Sequence, residues 1–344
     1  MIEAGIISPS TFSPRQSMHS LSAGLRAYLS HLERHGLRYN FDVAMVIGGG
    51  AFRHYFFTPE DNHAWLVEYP NEFWREDTTR VENYGLYEAV QGHTGWSARR
   101  WTKMKGAELV TLLRHEQKEG RFVRLVPSER YAGGLIEAFE ASREGLKLTV
   151  RHAGEEETLL HPDLTTLDEF VWNLGELQTL RREPGEVPAT RRHALTADVL
   201  RWAVQHWGAR REIIFDVEAY YAAGNRAWLQ LRAFASTLAS PLEGRNADEG
   251  YAYIQRHLEE LAQARQSAAR FFSDAALVLE HTGREALSAP LLDTLANAWQ
   301  ASADATAEAA KHATSASSEA LEEHLELAHQ QDAQAFEFLE RFIL

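Results

Sequence analysis

The sequence predicts an α+β protein in two parts, an N-terminal unit of mixed helix and sheet and a C-terminal all-α helical bundle. Three observations predict it. A chain of 344 residues exceeds the size at which a single core stops growing. Short apolar runs punctuated by Gly and Pro fill the first half, whereas long Ala-rich helical periodicities fill the second. Between them Arg181–Arg192, RREPGEVPATRR, carries two prolines and dense charge without apolar periodicity. The linker is therefore expected at 181–194, between units at 1–185 and 195–344.

From Ser17 to His35, Leu21, Leu25, Tyr28, Leu29 and Leu32 recur at helical spacing and Gly36 supplies the stop, which predicts an early amphipathic helix. Phe41–Ile47, Tyr55–Phe57 and Trp65–Tyr69 are short apolar runs ending in glycine or proline and read as short strands or buried loops. Gly106–Glu119 reads as a helix with Leu109, Leu112 and Leu113 on one face. Arg121–Pro127, Gly134–Phe139 and Leu146–Arg151 read as successive strands, the second pair turning at Glu144-Gly145. Leu167–Leu180 looks helical. Beyond the linker, helices are expected at Thr196–Trp207, Arg226–Thr237, Asp248–Glu280, Pro290–Ala313 and Ser317–Ile343, as in a bundle of antiparallel helices. The Ala- and Ser-rich stretch 301–320 reads as a closely packed helix, and Trp202, Trp207, Trp228 and Trp299 as core.

The chain has no cysteine, which removes disulfides, thiolate metal sites and a cysteine nucleophile together. Its net charge is -14, and residues 195–344 hold 22 Asp+Glu against 12 Lys+Arg. Such a surface repels phosphate backbones and anionic lipid, so neither nucleic acid nor a membrane is expected as a partner. No run approaches the ~20 apolar residues of a membrane span, and MIEAGIISPSTFSPRQ lacks the basic-then-apolar pattern of a signal peptide. A cytoplasmic location is the expectation.

The segment MHSLSAGLRAYLSHLERHG followed by VIGGGAFRHYFF resembles the N-terminal domain of the butirosin biosynthesis protein H-like family, and GNRAWLQLRAFASTLAS with LAQARQSAARFF resembles the helical domain that follows in many relatives. The resemblance implies a papain-like fold with a central antiparallel sheet. It also implies transfer of an acyl group from a carrier-protein thioester to a small amine acceptor, in secondary metabolism. The matching positions are His19-Ser20, Gly24-Leu25-Arg26, and Gly48-Gly49-Gly50 ahead of His54 and Tyr55, the last five implied to bind substrate. Ser20 stands where the family has its nucleophilic cysteine. The strand Gly133–Ala138 lacks the family's catalytic histidine, and the next strand ends in Arg151-His152. The catalytic set carried over is therefore Ser20, His152 and His19, with no cofactor beyond the carrier's phosphopantetheine arm.

Two readings of Ser20 stand side by side. At a helix N-terminus its hydroxyl would feel the positive end of the dipole, but the same position suits a plain N-cap. A serine nucleophile needs a matched base within hydrogen-bond reach. Arg99, Arg100, Lys103 and Lys105 interleave with Trp96 and Trp101 on an expected edge strand, a surface that could receive an acidic carrier protein or could merely protect a sheet edge. His31 and His35, four apart, and His324 and His329, five apart, lack a third metal ligand, so no metal is expected. Two functions follow: a serine-dependent acyltransferase, or a degenerate pseudoenzyme that binds or scaffolds within a biosynthetic complex, with the helical part available for homodimerisation.

Overall fold

The computed structural model describes residues 29, 32–33, 39–56, 90, 92–102, 104–125, 134–142, 145–152, 155–161, 167–174, 177–182, 186–208, 212–213, 220–238, 247–283, 289–314 and 317–343. Among these, Phe41–Ile47 is a helix, α1, where a strand or buried loop was expected. The Asn40 side chain accepts hydrogen bonds from the N–H groups of Asp42 and Val43, and that cap commits the segment to a helix. Val43 to Ile47 are all buried, so the periodicity that separates helix from strand is missing from the sequence. Gly48 stops the helix, and a single 3₁₀ turn, Gly50–Phe52, leads into the two-residue strand β1, Tyr55–Phe56.

The sheet follows. It comprises β2 (Trp96–Trp101), β3 (Val123–Leu125), β4 (Gly134–Ser142), β5 (Gly145–His152), β6 (Glu155–His161) and β7 (Leu177–Arg182), in the order β2-β7-β3-β4-β5-β6 with every pair antiparallel. Two helices cover it, α2 (Gly106–Lys118) and α3 (Leu167–Leu174). They meet where a Cβ on Gly106 would lie only 2.3 Å from Leu167, and the Gly106 N–H donates to Asp168 at 2.6 Å. The expected helix Leu167–Leu180 thus ends at Leu174, and its remainder is β7, inserted between β2 and β3. Sheet pairing on both flanks overrides the local helical pattern. Leu109, Leu113, Ile136, Leu148, Val150, Phe170 and Leu174 fill this core.

The second half contains α4 (Ala189–Gly208), α5 (Asn225–Leu238), α6 (Ala247–Ser273), α7 (Ala275–Thr282), α8 (Ala289–Lys311) and α9 (Ser318–Ile343). The Ala-rich stripe of α8 packs closely, with Ala303, Ala305, Ala309 and Ala310 buried. The expected continuous helix 248–280 breaks at Asp274, whose carboxylate accepts from the N–H groups of Ala276 and Leu277 and starts α7. Asp274→Ala is expected to cost about 1 kcal/mol in urea unfolding, the usual worth of such a cap.

Two findings depart from the expected boundary. Between α4 and α5 lie β8 (Glu212–Ile213) and β9 (Tyr220–Ala223), so this half is not all-α; β9 pairs with β1 as Tyr55↔Ala223 and Phe56↔Ala222. Moreover, Leu29, Leu32 and the whole of α1 share a core with Leu200, Phe271, Trp299 and Phe336 of the helices, and Phe56 lies in a second helical core with Trp228 and Ile254. A helix as apolar as α1 needs apolar surroundings on all sides, and the bundle supplies them. The cores therefore group residues 39–56 with the bundle, and β7 and α4 take the ends of the expected 181–194 linker.

Candidate functional site

The 3₁₀ turn delivers Arg53 and His54 into the bundle, where both are fully buried. Buried backbone polar groups require partners, and those of His54 have them. Its N–H donates to His206 Nε2 on α4 at 3.2 Å, and its carbonyl accepts the Gly224 N–H at 2.8 Å. An accepting Nε2 fixes the neutral tautomer of His206 with its proton on Nδ1. The His54 ring then faces His257 on α6, Nε2 to Nε2 at 3.1 Å, and stands edge-on to Trp228 with centroids 4.6 Å apart. One bridging proton satisfies that pair as long as one of the two Nε2 atoms keeps its lone pair. Burial, reinforced by His257 and Arg265, pushes His54 well below the ordinary histidine value; burial, with Arg265 adding, brings His257 down to about 4. His54 Nδ1 has no hydrogen-bond partner among the described residues.

Beside the pair lies a saturated ionic knot. Arg265 of α6 grips Asp332 of α9 with Nε at 2.7 Å and Nη2 at 2.8 Å, both groups being fully buried. Asp332 also accepts from Ser302 of α8 at 2.8 Å and from Trp228 Nε1 of α5 at 2.9 Å. The remaining arm of Arg265, Nη1, donates to the carbonyls of Ala51 at 2.8 Å and Arg53 at 3.1 Å. Four helices and the 51–54 segment are thereby tied at one point. Burial of charge is tolerated because every lone pair of Asp332 finds a donor.

His19, Ser20 and Lys103 lie outside the described residues. Gly48, Gly49 and Gly50 are the stop of α1 and the turn after it; Gly49 takes φ +75°, and a Cβ there would approach Trp202 to 2.9 Å. They form a close backbone contact with the bundle. The backbone of Tyr55 pairs with β9, and His152 closes β5, opposite Glu155, in the sheet whose core is separate from that around His54. Arg99 and Arg100 lie on β2, an edge of the sheet, with the exposed Arg99 guanidinium 3.9 Å above the Trp101 ring; exposed Lys105 starts α2. His324 stacks on His312 while His329 stacks on Trp228, so the two face different neighbours.

The residues that build the interior, His206, His257, Arg265 and Asp332, were not singled out from the sequence. A signal was present: His257 and Arg265 share the stripe of Ile254, Leu258 and Leu261, and Asp332 lies on that of Ala328, Ala335 and Phe336. A charge on an apolar stripe demands a buried partner. Among the described residues no group of three or more His, Asp or Glu side chains is placed to hold a metal ion. No helix of the described residues is long and apolar enough to cross a membrane. Neither a protein-family model nor a curated protein matches this chain.

Proposed function

We propose that this chain is a binding or scaffolding module, a catalytically degenerate relative of the butirosin H-like, papain-like acyltransferases. The observation that carries the reading is the surroundings of residues implied to bind substrate: Gly48–Gly50 and His54 are buried, Gly49 close against Trp202 and His54 paired with His257. Acyl transfer requires a nucleophile, a base and an orienting group within hydrogen-bond reach of one another. Burial, with His257 and Arg265 adding, disfavours a charged His54, and His152 lies at the end of β5. The acidic helical half and the Arg99-bearing sheet edge are the surfaces offered to partners in a cytoplasmic biosynthetic complex.

The competing reading keeps Ser20 as nucleophile, a carrier-bound acyl group as donor and a small amine as acceptor. Purified protein incubated with a panel of acyl-carrier thioesters and amines separates the two. No acyl adduct in intact mass spectra, no transfer product, and no difference between wild type and Ser20→Ala are expected. An adduct that disappears in Ser20→Ala would overturn the binding reading.

A further inference from the structure

We propose that residues 50–56 form a strap held in the bundle by three imidazoles, His206, His54 and His257, and that protonating the His54–His257 pair at mildly acidic pH releases it. This inference is independent of the functional reading above. It stands on where each lone pair points. The strap is fastened at His54 N–H to His206 Nε2, at His54 Nε2 to His257 Nε2, at the His54 carbonyl to Gly224 N–H, and at the Ala51 and Arg53 carbonyls to Arg265.

Two of these fastenings depend on an unprotonated ring. The His54 N–H needs a lone pair on His206 Nε2. Protonating one ring of the His54–His257 pair places an uncompensated charge in the buried interior, and protonating both would leave two N–H groups facing each other at 3.1 Å.

The charged and titratable groups around the strap come from several elements. Helix α4 presents His206, α6 presents His257 and Arg265, α9 presents His329 and Asp332, and the strap contributes Arg53. From α5 the facing group is Trp228, and from α8 it is Ser302, neither of which titrates near neutrality. The one carboxylate among them, Asp332, is already engaged by Arg265, Ser302 and Trp228. A new imidazolium therefore meets Arg265 without a free counter-charge in that group.

The sign follows from linkage. A latched His257 titrates at about 4, a released one near the ordinary value of about 6.5. The released state binds the extra proton between those values, so latching is intact above about pH 6.5 and weakens as pH falls toward 4. For His257 alone the release equilibrium rises about 30-fold between about pH 7.5 and pH 5, and about 150-fold by about pH 4.

Hydrogen–deuterium exchange followed by mass spectrometry, corrected for the intrinsic pH dependence of exchange, tests it at about pH 7.5 and about pH 5. Protection of peptides spanning 50–56 is expected to fall by about 30-fold or more, while peptides from the middle of α8 keep theirs. In the doubly substituted His206→Gln/His257→Gln protein a side-chain oxygen can still accept from His54 N–H while His54 alone of the three imidazoles is left, and the fall is expected to shrink. Unchanged strap protection in the wild type, loss in the strap and α8 together, or an equal fall in the double variant would each overturn the proposal. Should that variant not fold, the wild-type comparison of strap with α8 decides alone.

Discussion

Asp332→Asn is expected to destabilise the protein by about 3–5 kcal/mol, the largest effect of any isosteric substitution in the bundle. The amide keeps the shape of the carboxylate and leaves the Arg265 guanidinium charged in the same sealed interior. One of its two termini becomes a donor, so it cannot accept all four hydrogen bonds that now arrive from Arg265, Ser302 and Trp228. Removing one partner of a buried pair costs far more than removing both, since the survivor keeps its desolvation penalty. Arg265→Met combined with Asp332→Leu is accordingly expected to lose less than Asp332→Asn alone. Guanidinium unfolding followed by circular dichroism gives the midpoints for both. A single variant no less stable than the double would show the pair to be more exposed to water than it is here.

Gly224→Ala is expected to cost about 3 kcal/mol. Gly224 sits at φ +53°, a left-handed conformation that an alanine adopts at a cost of about 1–2 kcal/mol. Its Cβ would also fall 2.4 Å from the His206 carbonyl oxygen and 2.6 Å from Trp207 Cα. Those are backbone atoms of the end of α4, which cannot swing aside as a side chain would, and overpacking of this kind adds about 1–3 kcal/mol. Because Gly224 N–H binds the His54 carbonyl, displacement here also loosens the strap. Thermal unfolding at about pH 7.5, with the exchange of peptides around 50–56, measures both effects. Gly120→Ala is the control: it shares the positive φ, but nothing lies within 4 Å of its added carbon, so only the conformational cost is expected.

How much of this was legible depends on the range of the determining contacts. The long helices were visible because each buries one stripe, as α6 does with Tyr251, Ile254, Leu258 and Leu261. The central strands were visible too, from runs bounded by turn residues. Helix α1 was not, since all of Val43–Ile47 is buried and a continuous apolar run has no period to read. Strand β7 was hidden in a helical-looking segment because its flanking partners decide its state. The interior knot was the least legible feature. Arg265 meets Asp332 across 67 residues and Ala51 across 214, separations at which spacing in a single sequence carries no signal. Only the misplaced polarity of His257, Arg265 and Asp332 on otherwise apolar faces pointed inward. The glycine triplet that the resemblance marks for substrate forms the stop of α1 and the turn after it, with Gly49 close against Trp202.

The central claim is that residues 39–56 belong physically to the helical bundle and not to the sheet. Native-state hydrogen exchange in increasing denaturant at about pH 7.5 tests it most directly. Amides of α1 and of Phe52–Phe56 are expected to merge with those of α6 and α8 into one opening isotherm, distinct from that of β4 and β5. Merging of the 39–56 amides with the β4–β5 isotherm, while α6 and α8 open separately, would contradict it.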